Sequence, residues 1–228
     1  MSLQNLLGEA PLEGILFDLD GTLVDSVPDL AAAMDAALAH CGYPPAGEER
    51  VRHWVGNGAA MLVERALEWA TSASSRPGSA VSHSVLLDAF YLAYAEDSSS
   101  RSKLFPGVVE ALQYWHGAGI RLACVTNKPE RFTHPILAEF GLDKLLPVVV
   151  GGDTLPQRKP DPAPLLLACQ RLAVAPQRVV MVGDSSNDID AAHAAGMPVA
   201  CVSYGYNHGA PIAEAGADLL VDDFSALR

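Results

Sequence analysis

Positive charge is scarce in this chain. Its 228 residues carry 15 lysines and arginines against 27 aspartates and glutamates, a formal net charge of −12. A field of that sign repels a phosphate backbone, which argues against nucleic acid as a partner. A small anionic substrate then needs local positive charge wherever it binds, and a metal ion is the natural source. Cysteine is also sparse: Cys41, Cys124, Cys169 and Cys201 lie far apart and form no CxxC pair. Neither a zinc site nor a disulfide framework is expected, and the four read as reduced thiols used as small apolar residues. The seven histidines show no HExxH-like spacing. No apolar run approaches the roughly 20 residues of a membrane-spanning helix, so no membrane partner is expected. The opening MSLQNLLGEAPLE has neither a basic start nor a long apolar core and does not read as a signal peptide. These absences leave a cytoplasmic enzyme or regulator of ordinary globular composition, half hydrophobic and 18% charged. Its length allows one large domain, or a core with a smaller module.

What is present is an alternation. From Phe105 onward the chain runs through the helix-like PGVVEALQYWHGAG, the strand candidate GIRLACVT and the helix-like KPERFTHPILAEFGL. PVVVGG, APLLLACQRLAV, RVVMVGD, SNDIDAAHAAGM, PVACVSYG and ADLLV continue the pattern of strand and helix. GILFD near the start adds a strand of the same fully buried type. The reading is an α/β fold, a doubly wound parallel-sheet core of Rossmann-like type. Between Ser26 and Arg101 the texture changes. PDLAAAMDAALAHCGY, EERVRHWV, GAAMLVERALEWA and VSHSVLLDAFYLAYAED all have helical spacing, no good strand intervenes, and TSASSRPGSA reads as a loop. The stretch is too long for a connection between neighbouring elements. Residues 1–25 and 101–228 are therefore expected to form the core, with 26–100 an inserted all-helical cap domain.

Open parallel sheets bind ligands at the carboxyl ends of their strands, so the residues following each apolar run are the candidate site. The first strand ends in Asp18-Leu19-Asp20-Gly21-Thr22, and GIRLACV ends in Thr126-Asn127-Lys128. RVVMVG ends in Asp184, with Asp188 shortly after in GDSSND, and RKPDP carries Lys159 ahead of a helix. Four converging carboxylates would raise one another's pKa. A hard divalent cation such as magnesium, which prefers oxygen ligands and commonly bridges to phosphate, resolves the conflict. Each piece alone has a plainer reading. Asp18 or Asp184 alone is a helix cap, Thr126-Asn127 caps as well, and Lys159 alone is a solvated charge. Four such motifs in this order, each at a predicted strand end or just before a helix, are hard to obtain by chance.

With these four motifs, DLDGT, VTN, RKPDP and GDSSND, the sequence resembles the phosphatase branch of the haloacid dehalogenase superfamily. WVGNGAAMLVERAL in the helical section and SYGYNHG near the end are further similar to its phosphoglycolate phosphatase family. The resemblance implies a magnesium-dependent hydrolysis of 2-phosphoglycolate through an aspartyl phosphate. Asp18 is implied as nucleophile, Asp20 as general acid and then base, and Lys159 as the cation beside the nucleophile and phosphoryl group. Thr22 would orient Asp20 by hydrogen bonding and stand with the phosphate-binding residues. Thr126, through hydroxyl and backbone N–H, and Asn127 would bind phosphoryl oxygens. Asp18, the Asp20 carbonyl and Asp184 would hold magnesium, with Asp188 closer to an outer layer. Asp20 also separates relatives, because dehalogenases lack this second aspartate. A sugar phosphomutase or a broader-specificity phosphatase of the same superfamily is the alternative. A receiver domain shares the acidic pocket, Thr and Lys but is shorter and has no helical cap.

The cap offers one contact loop, Gly56-Asn57-Gly58, between two predicted helices. Its glycines allow close approach, and the following helix presents free N–H groups to an anion. As a plainer alternative it is a helix–helix turn with glycine as a stop signal. Arg65 reads as an exposed helix arginine. With no spare cation expected in the core for a second anion, recognition of the glycolate carboxylate falls to this loop.

Overall fold

Six stretches rich in valine, isoleucine and leucine were expected as strands. In the computed structural model, which describes residues 3–73 and 81–228, each becomes one strand of a single sheet. The chain begins with β1 (Gly14–Phe17) and a two-residue strand β2 (Val24–Asp25), then enters helices α1 (Val27–His40), α2 (Glu48–Trp54), α3 (Ala59–Ala73) and α4 (His83–Glu96). It returns through β3 (Lys103–Leu104) to α5 (Val108–Gly117), β4 (Arg121–Val125), α6 (Glu130–Glu139) and β5 (Val148–Val150). The last part holds α7 (Ala163–Leu172), β6 (Val179–Gly183), α8 (Ser186–Ala194), β7 (Val199–Val202) and β8 (Leu219–Val221).

The sheet order is β5-β4-β1-β6-β7-β8, with every neighbouring pair parallel. Leu16 sits level with Ala123 on one side and Met181 on the other. All four residues of β1 and all five of β6 are buried, as interior parallel strands covered on both faces require. The two-residue period sends alternate side chains to opposite layers. Ile15, Phe17, Cys124, Val180 and Val182 pack with Leu112 and Trp115 of α5 and Ile136 of α6. Leu16, Ala123, Val125 and Met181 pack with Leu165 and Cys169 of α7 and Ile189 of α8. The result is a three-layer α/β/α body. The connection from β1 leads eventually to β4 and β5 on one side, whereas β6, β7 and β8 build the other. Strand order thus reverses beside β1, and the carboxyl ends of β1, β4 and β6 open onto the crevice where such sheets bind ligands.

α1 to α4 bury a separate apolar cluster that includes Met34, Leu38, Val63, Leu86, Phe90 and Tyr94. Phe132 of α6 and Tyr206 reach into it from the body below. Pro28 lies in the first turn of α1, where its missing N–H costs nothing. The expected loop TSASSRPGSA divides: Thr71 to Ala73 complete α3, and residues 74–80 lie outside the described residues. The chain crosses into and out of the four helices through β2 and β3, which pair antiparallel, Val24 with Leu104 and Asp25 with Lys103. Strands this short carry no pattern to detect. Among the described residues no helix is long and apolar enough to cross a membrane.

Candidate active site

The Asp18 N–H donates to the Val182 carbonyl at 2.9 Å, continuing the ladder one residue past β1 and fixing Asp18 at the mouth of the central strand. The chain then turns tightly: the Leu19 carbonyl accepts from the N–H groups of Thr22, Leu23 and Val24 at 3.3, 3.0 and 3.0 Å. Gly21 makes the turn at φ +85°, where a Cβ would lie 2.4 Å from Asp184 Oδ2 and 2.9 Å from the Tyr206 ring. Only glycine suits that position.

The turn brings together the expected acidic cluster. Asp18, Asp184 and Asp188 are buried, and each offers an oxygen within 4.8 Å of the others. Asp184 follows β6; its carboxylate accepts from the Thr22 hydroxyl at 3.0 Å and the Tyr206 N–H at 2.7 Å. Asp188 stands in the first turn of α8, where Oδ2 accepts from the Ser185 N–H at 3.1 Å and the Ser185 hydroxyl at 2.8 Å. The Lys159 ammonium lies 3.0 Å from Asp18 Oδ1 and 2.6 Å from Asp188 Oδ1. One ammonium cannot balance three carboxylates. Burial pushes the Asp18 carboxyl up to about 7, with Lys159 pulling it back and Asp188 and Asp20 adding to the rise. Burial, with Asp18 and Asp188, also raises Asp184 well above the ordinary carboxylate range. Burial pulls Lys159 down, but Asp18 and Asp188 more than offset this and hold it above the ordinary lysine value. A buried all-oxygen set with surplus negative charge fits a hard divalent cation of the magnesium type.

Asp20 faces the same space in a different setting. Its carboxylate takes the Ser26 hydroxyl and the Lys128 ammonium, the latter at 3.0 and 3.1 Å. Thr22 was expected to orient Asp20 and to meet phosphate. Instead it is fully buried and its hydroxyl serves Asp184, because the turn at Gly21 carries it behind the site. Ser26 and Lys128 hold Asp20 in its place. Ser26 precedes α1 and reads as a cap, yet it makes no side-chain cap bond; nothing in the sequence distinguishes it. Lys128 did carry a signal, as the residue directly after Thr126-Asn127 at the end of β4.

Two further expectations change. The Thr126 N–H donates to Val150 O at 3.0 Å, completing the β4–β5 ladder, so it is not free for phosphate. Its hydroxyl accepts from the Lys128 N–H at 3.2 Å and lines the cavity, keeping its own proton to donate. The Asn127 side-chain amide donates to the carbonyls of Lys159 at 3.0 Å and Gly56 at 3.1 Å. It ties the lysine segment to the helical module instead of pointing at an anion. The Asn127 backbone N–H meets no acceptor among the described residues.

The loop Gly56-Asn57-Gly58 does lie over the site. The Gly56 carbonyl accepts from Asn127 and from Asn187 (3.3 Å), and a Cβ on Gly56 would sit 2.5 Å from His208 Cε1. Gly56 and Gly58 line the cavity with Ala59, the first residue of α3. The Asn57 side chain turns aside, donating to Asn187 at 3.3 Å and accepting from Arg65 at 2.7 Å. Arg65, expected to be exposed, is half-buried and also donates to the Trp54 carbonyl, clamping the loop from behind. His208 went unassigned in the sequence; its Nδ1 is buried without a hydrogen-bond partner among the described residues, and Nε2 lies 3.2 Å from Asn187.

Beneath the loop is a cavity that opens to solvent at its mouth. Asp18, Asp20, Thr126, Asn127 and Lys128 form a polar floor, and Leu30, Val55, Leu62, Phe90, Tyr94 and Phe132 supply apolar walls. A cation the sequence reading did not count, the Lys128 ammonium, stands at this floor paired to Asp20. Two carboxylates share one cavity, one beside a surplus of negative charge and one paired to a lysine. Such an arrangement suits nucleophilic attack by one and proton transfer by the other.

Known proteins match the chain over most of its length. The model of the haloacid dehalogenase-like hydrolases matches residues 12–196. A phosphoglycolate phosphatase of Pseudomonas aeruginosa is 49% identical over 213 residues, 93% of this chain and 77% of that protein. One of Haemophilus influenzae is 46% identical over 211 residues, 92% of this chain and 94% of that protein. The crystal structure of a predicted phosphoglycolate phosphatase from Haemophilus somnus superimposes with a TM-score of 0.90 at 41% identity. That match covers 96% of this chain and 97% of the other.

Proposed function

This chain belongs to the haloacid dehalogenase-like hydrolases, and we propose that it is a cytoplasmic, magnesium-dependent phosphatase converting 2-phosphoglycolate to glycolate and phosphate. The observation that carries the reading is the pair Asp18 and Asp20 on one cavity floor, each with its own lysine. The name shared by its relatives from Pseudomonas aeruginosa and Haemophilus influenzae supports the substrate.

In this reading an Asp18 oxygen attacks phosphorus in line as the bond from phosphorus to the bridging oxygen breaks. Asp20 gives its proton to the departing alkoxide, which leaves as glycolate. Asp20 then takes a proton from water as that water attacks the aspartyl phosphate, releasing inorganic phosphate and restoring Asp18. Lys159 holds the Asp18 oxygen in place and offsets charge on the phosphoryl group. The Thr126 hydroxyl and Asn127 N–H are the donors facing phosphoryl oxygens. Asp18, Asp184 and the Asp20 carbonyl would hold magnesium, with Asp188 behind them; when bound, the ion neutralises charge on the phosphate. Residues 26–100 act as a cap whose apolar walls exclude water from the acyl phosphate.

The test is phosphate release from 2-phosphoglycolate, glucose phosphates and p-nitrophenyl phosphate, with magnesium and with excess chelator. The expected result is the highest kcat/KM for 2-phosphoglycolate and no turnover in chelator. Full activity in chelator would refute the metal requirement. An isomerised sugar phosphate without phosphate release would identify a phosphomutase instead.

A further inference from the structure

The relatives' names and the acidic motifs leave open what recognises the part of the substrate that is not phosphate. Taking 2-phosphoglycolate as substrate, that part is a carboxylate two bonds beyond the bridging oxygen. A dehydrated carboxylate in a cavity with apolar walls needs a cation or several N–H donors.

The cations near the site can be counted by their partners. Lys159 is taken by Asp18 and Asp188. Arg65 donates to Trp54 and Asn57, Arg158 to the Gly152 carbonyl, and Arg52 pairs with Asp25 and Glu48. Lys128 alone among them lines the cavity. Its side chain is 4% exposed, its ammonium pairs with Asp20 and no second carboxylate among the described residues, and it lies 4.9 Å from the centre of the Tyr94 ring. It is a fixed positive charge at the junction of floor and cap.

Position decides what such a charge can meet. Asp20 must touch the bridging oxygen to protonate it, and Lys128 touches Asp20 at 3.0 and 3.1 Å. A group two bonds beyond the bridging oxygen falls within reach of the same ammonium. We propose that Lys128 binds the carboxylate of the substrate, so that one lysine contacts both the proton-transferring Asp20 and the substrate's second anion. Specificity for a short acidic phosphoester then originates in the floor of the cavity, and the cap loop serves to close it. Lysine suits the task, since its three donors allow a second acceptor to share the ammonium with Asp20.

The full chain with magnesium is assayed on three esters of nearly equal length: 2-phosphoglycolate, ethyl phosphate and phosphoethanolamine, ending in an anion, a methyl and an ammonium. Wild-type kcat/KM should fall in that order. Lys128→Met should narrow the gap between 2-phosphoglycolate and ethyl phosphate by about 10- to 100-fold, the worth of a charge-assisted hydrogen bond. The narrowing should come mainly from KM for 2-phosphoglycolate, and Lys128→Arg should restore most of it. If Lys128→Met slows both esters by the same factor, Lys128 acts on Asp20 alone and the inference is overturned. If the variant does not fold, the wild type still decides: phosphoethanolamine turned over as well as ethyl phosphate overturns the inference. A wild type with no preference for 2-phosphoglycolate over ethyl phosphate refutes the substrate reading itself, a separate failure.

Discussion

Replacing Lys159 with methionine keeps the stem of the side chain and removes its charge. Asp18 and Asp188, 8% and 0% exposed, then lose the ammonium that lies 3.0 and 2.6 Å from them. Stripping one partner from a buried ion pair costs roughly 3–5 kcal/mol, because the charge left behind is neither hydrated nor paired. Asp188 keeps its donors from Ser185, so the lower figure applies. At about 2–4 °C per kcal/mol for a chain of this size, the unfolding midpoint should drop by about 6–12 °C. The pH dependence is the sharper test. The Asp18 carboxyl is raised from 3.8 to about 7 by burial, and Lys159 is what restrains the rise. A carboxyl whose folded pKa is raised binds its proton more tightly folded than unfolded, so stability falls as pH rises between the two values and is level above the higher one. In the wild type that window runs from about 4 to about 7. Without Lys159 its upper end moves higher, and above pH 7 the variant should lose up to about 1.4 kcal/mol per pH unit more than the wild type does. At about pH 6 Asp18 is largely protonated in both folded proteins, and the gap is at its smallest. Thermal unfolding by circular dichroism in excess chelator, from about pH 6 to about pH 8.5, measures both effects. A gap that does not widen over that range, or a variant within about 1 kcal/mol of wild type at its lower end, refutes the argument.

Asp18→Asn removes the proposed nucleophile and Asp20→Asn the proposed proton donor; each should lower phosphate release by at least two to four orders of magnitude, roughly the scale of such groups. With Asp18 as nucleophile, rapid quenching of a single turnover should trap phosphate on Asp18, and labelled water attacking that phosphorus should place its oxygen in phosphate and none in the Asp18 carboxylate. Gly21→Ala forces a Cβ to within 2.4 Å of Asp184 Oδ2 at a φ of +85°, so Asp184 must move. The protein should fold but lose the rise in unfolding midpoint that magnesium gives the wild type, and an unchanged rise would contradict Asp184 as a ligand. Asn57→Ala frees Arg65 and Asn187 without altering the lining of the cavity. Turnover of every phosphoester should fall by a similar factor, and a selective loss on 2-phosphoglycolate would show that Asn57 reaches the substrate.

Much of this is visible in the linear chain because the features are local. GILF and VVMVG are apolar throughout since both faces are covered, and Asp18, Asp184 and Lys159 are noticeable because they follow or precede such runs. What the chain conceals depends on how turns aim side chains. Thr22 lies two residues from Asp20, yet the turn at Gly21 sends its hydroxyl to Asp184, 162 residues away in sequence. Ser26 looks like the cap of α1 and serves Asp20 instead. The Gly56 carbonyl, not the loop's N–H groups, meets the amides of Asn127 and Asn187. The pairing of β2 with β3 involves four residues and leaves no periodicity to find.

That pairing has a consequence for inheritance. Val24 faces Leu104 and Asp25 faces Lys103, and the Phe105 N–H reaches the Leu23 carbonyl at 3.1 Å. The chain departs for four helices and comes back within about one strand spacing, roughly 5 Å. Neither apolar cluster flanking the sheet draws on any described residue from Val27 to Ser102. An insertion whose two ends touch, and on which the host's core does not depend, behaves as a cassette. Joining Asp25 to Lys103 through a short turn should leave a six-stranded body that still gathers Asp18, Asp184 and Asp188. Genetic exchange of the stretch between them can then reshape the apolar walls over one phosphoryl-transfer centre while its charged floor, Lys128 included, passes on unchanged, so that the enclosure and the chemistry descend along separate lines within a single gene.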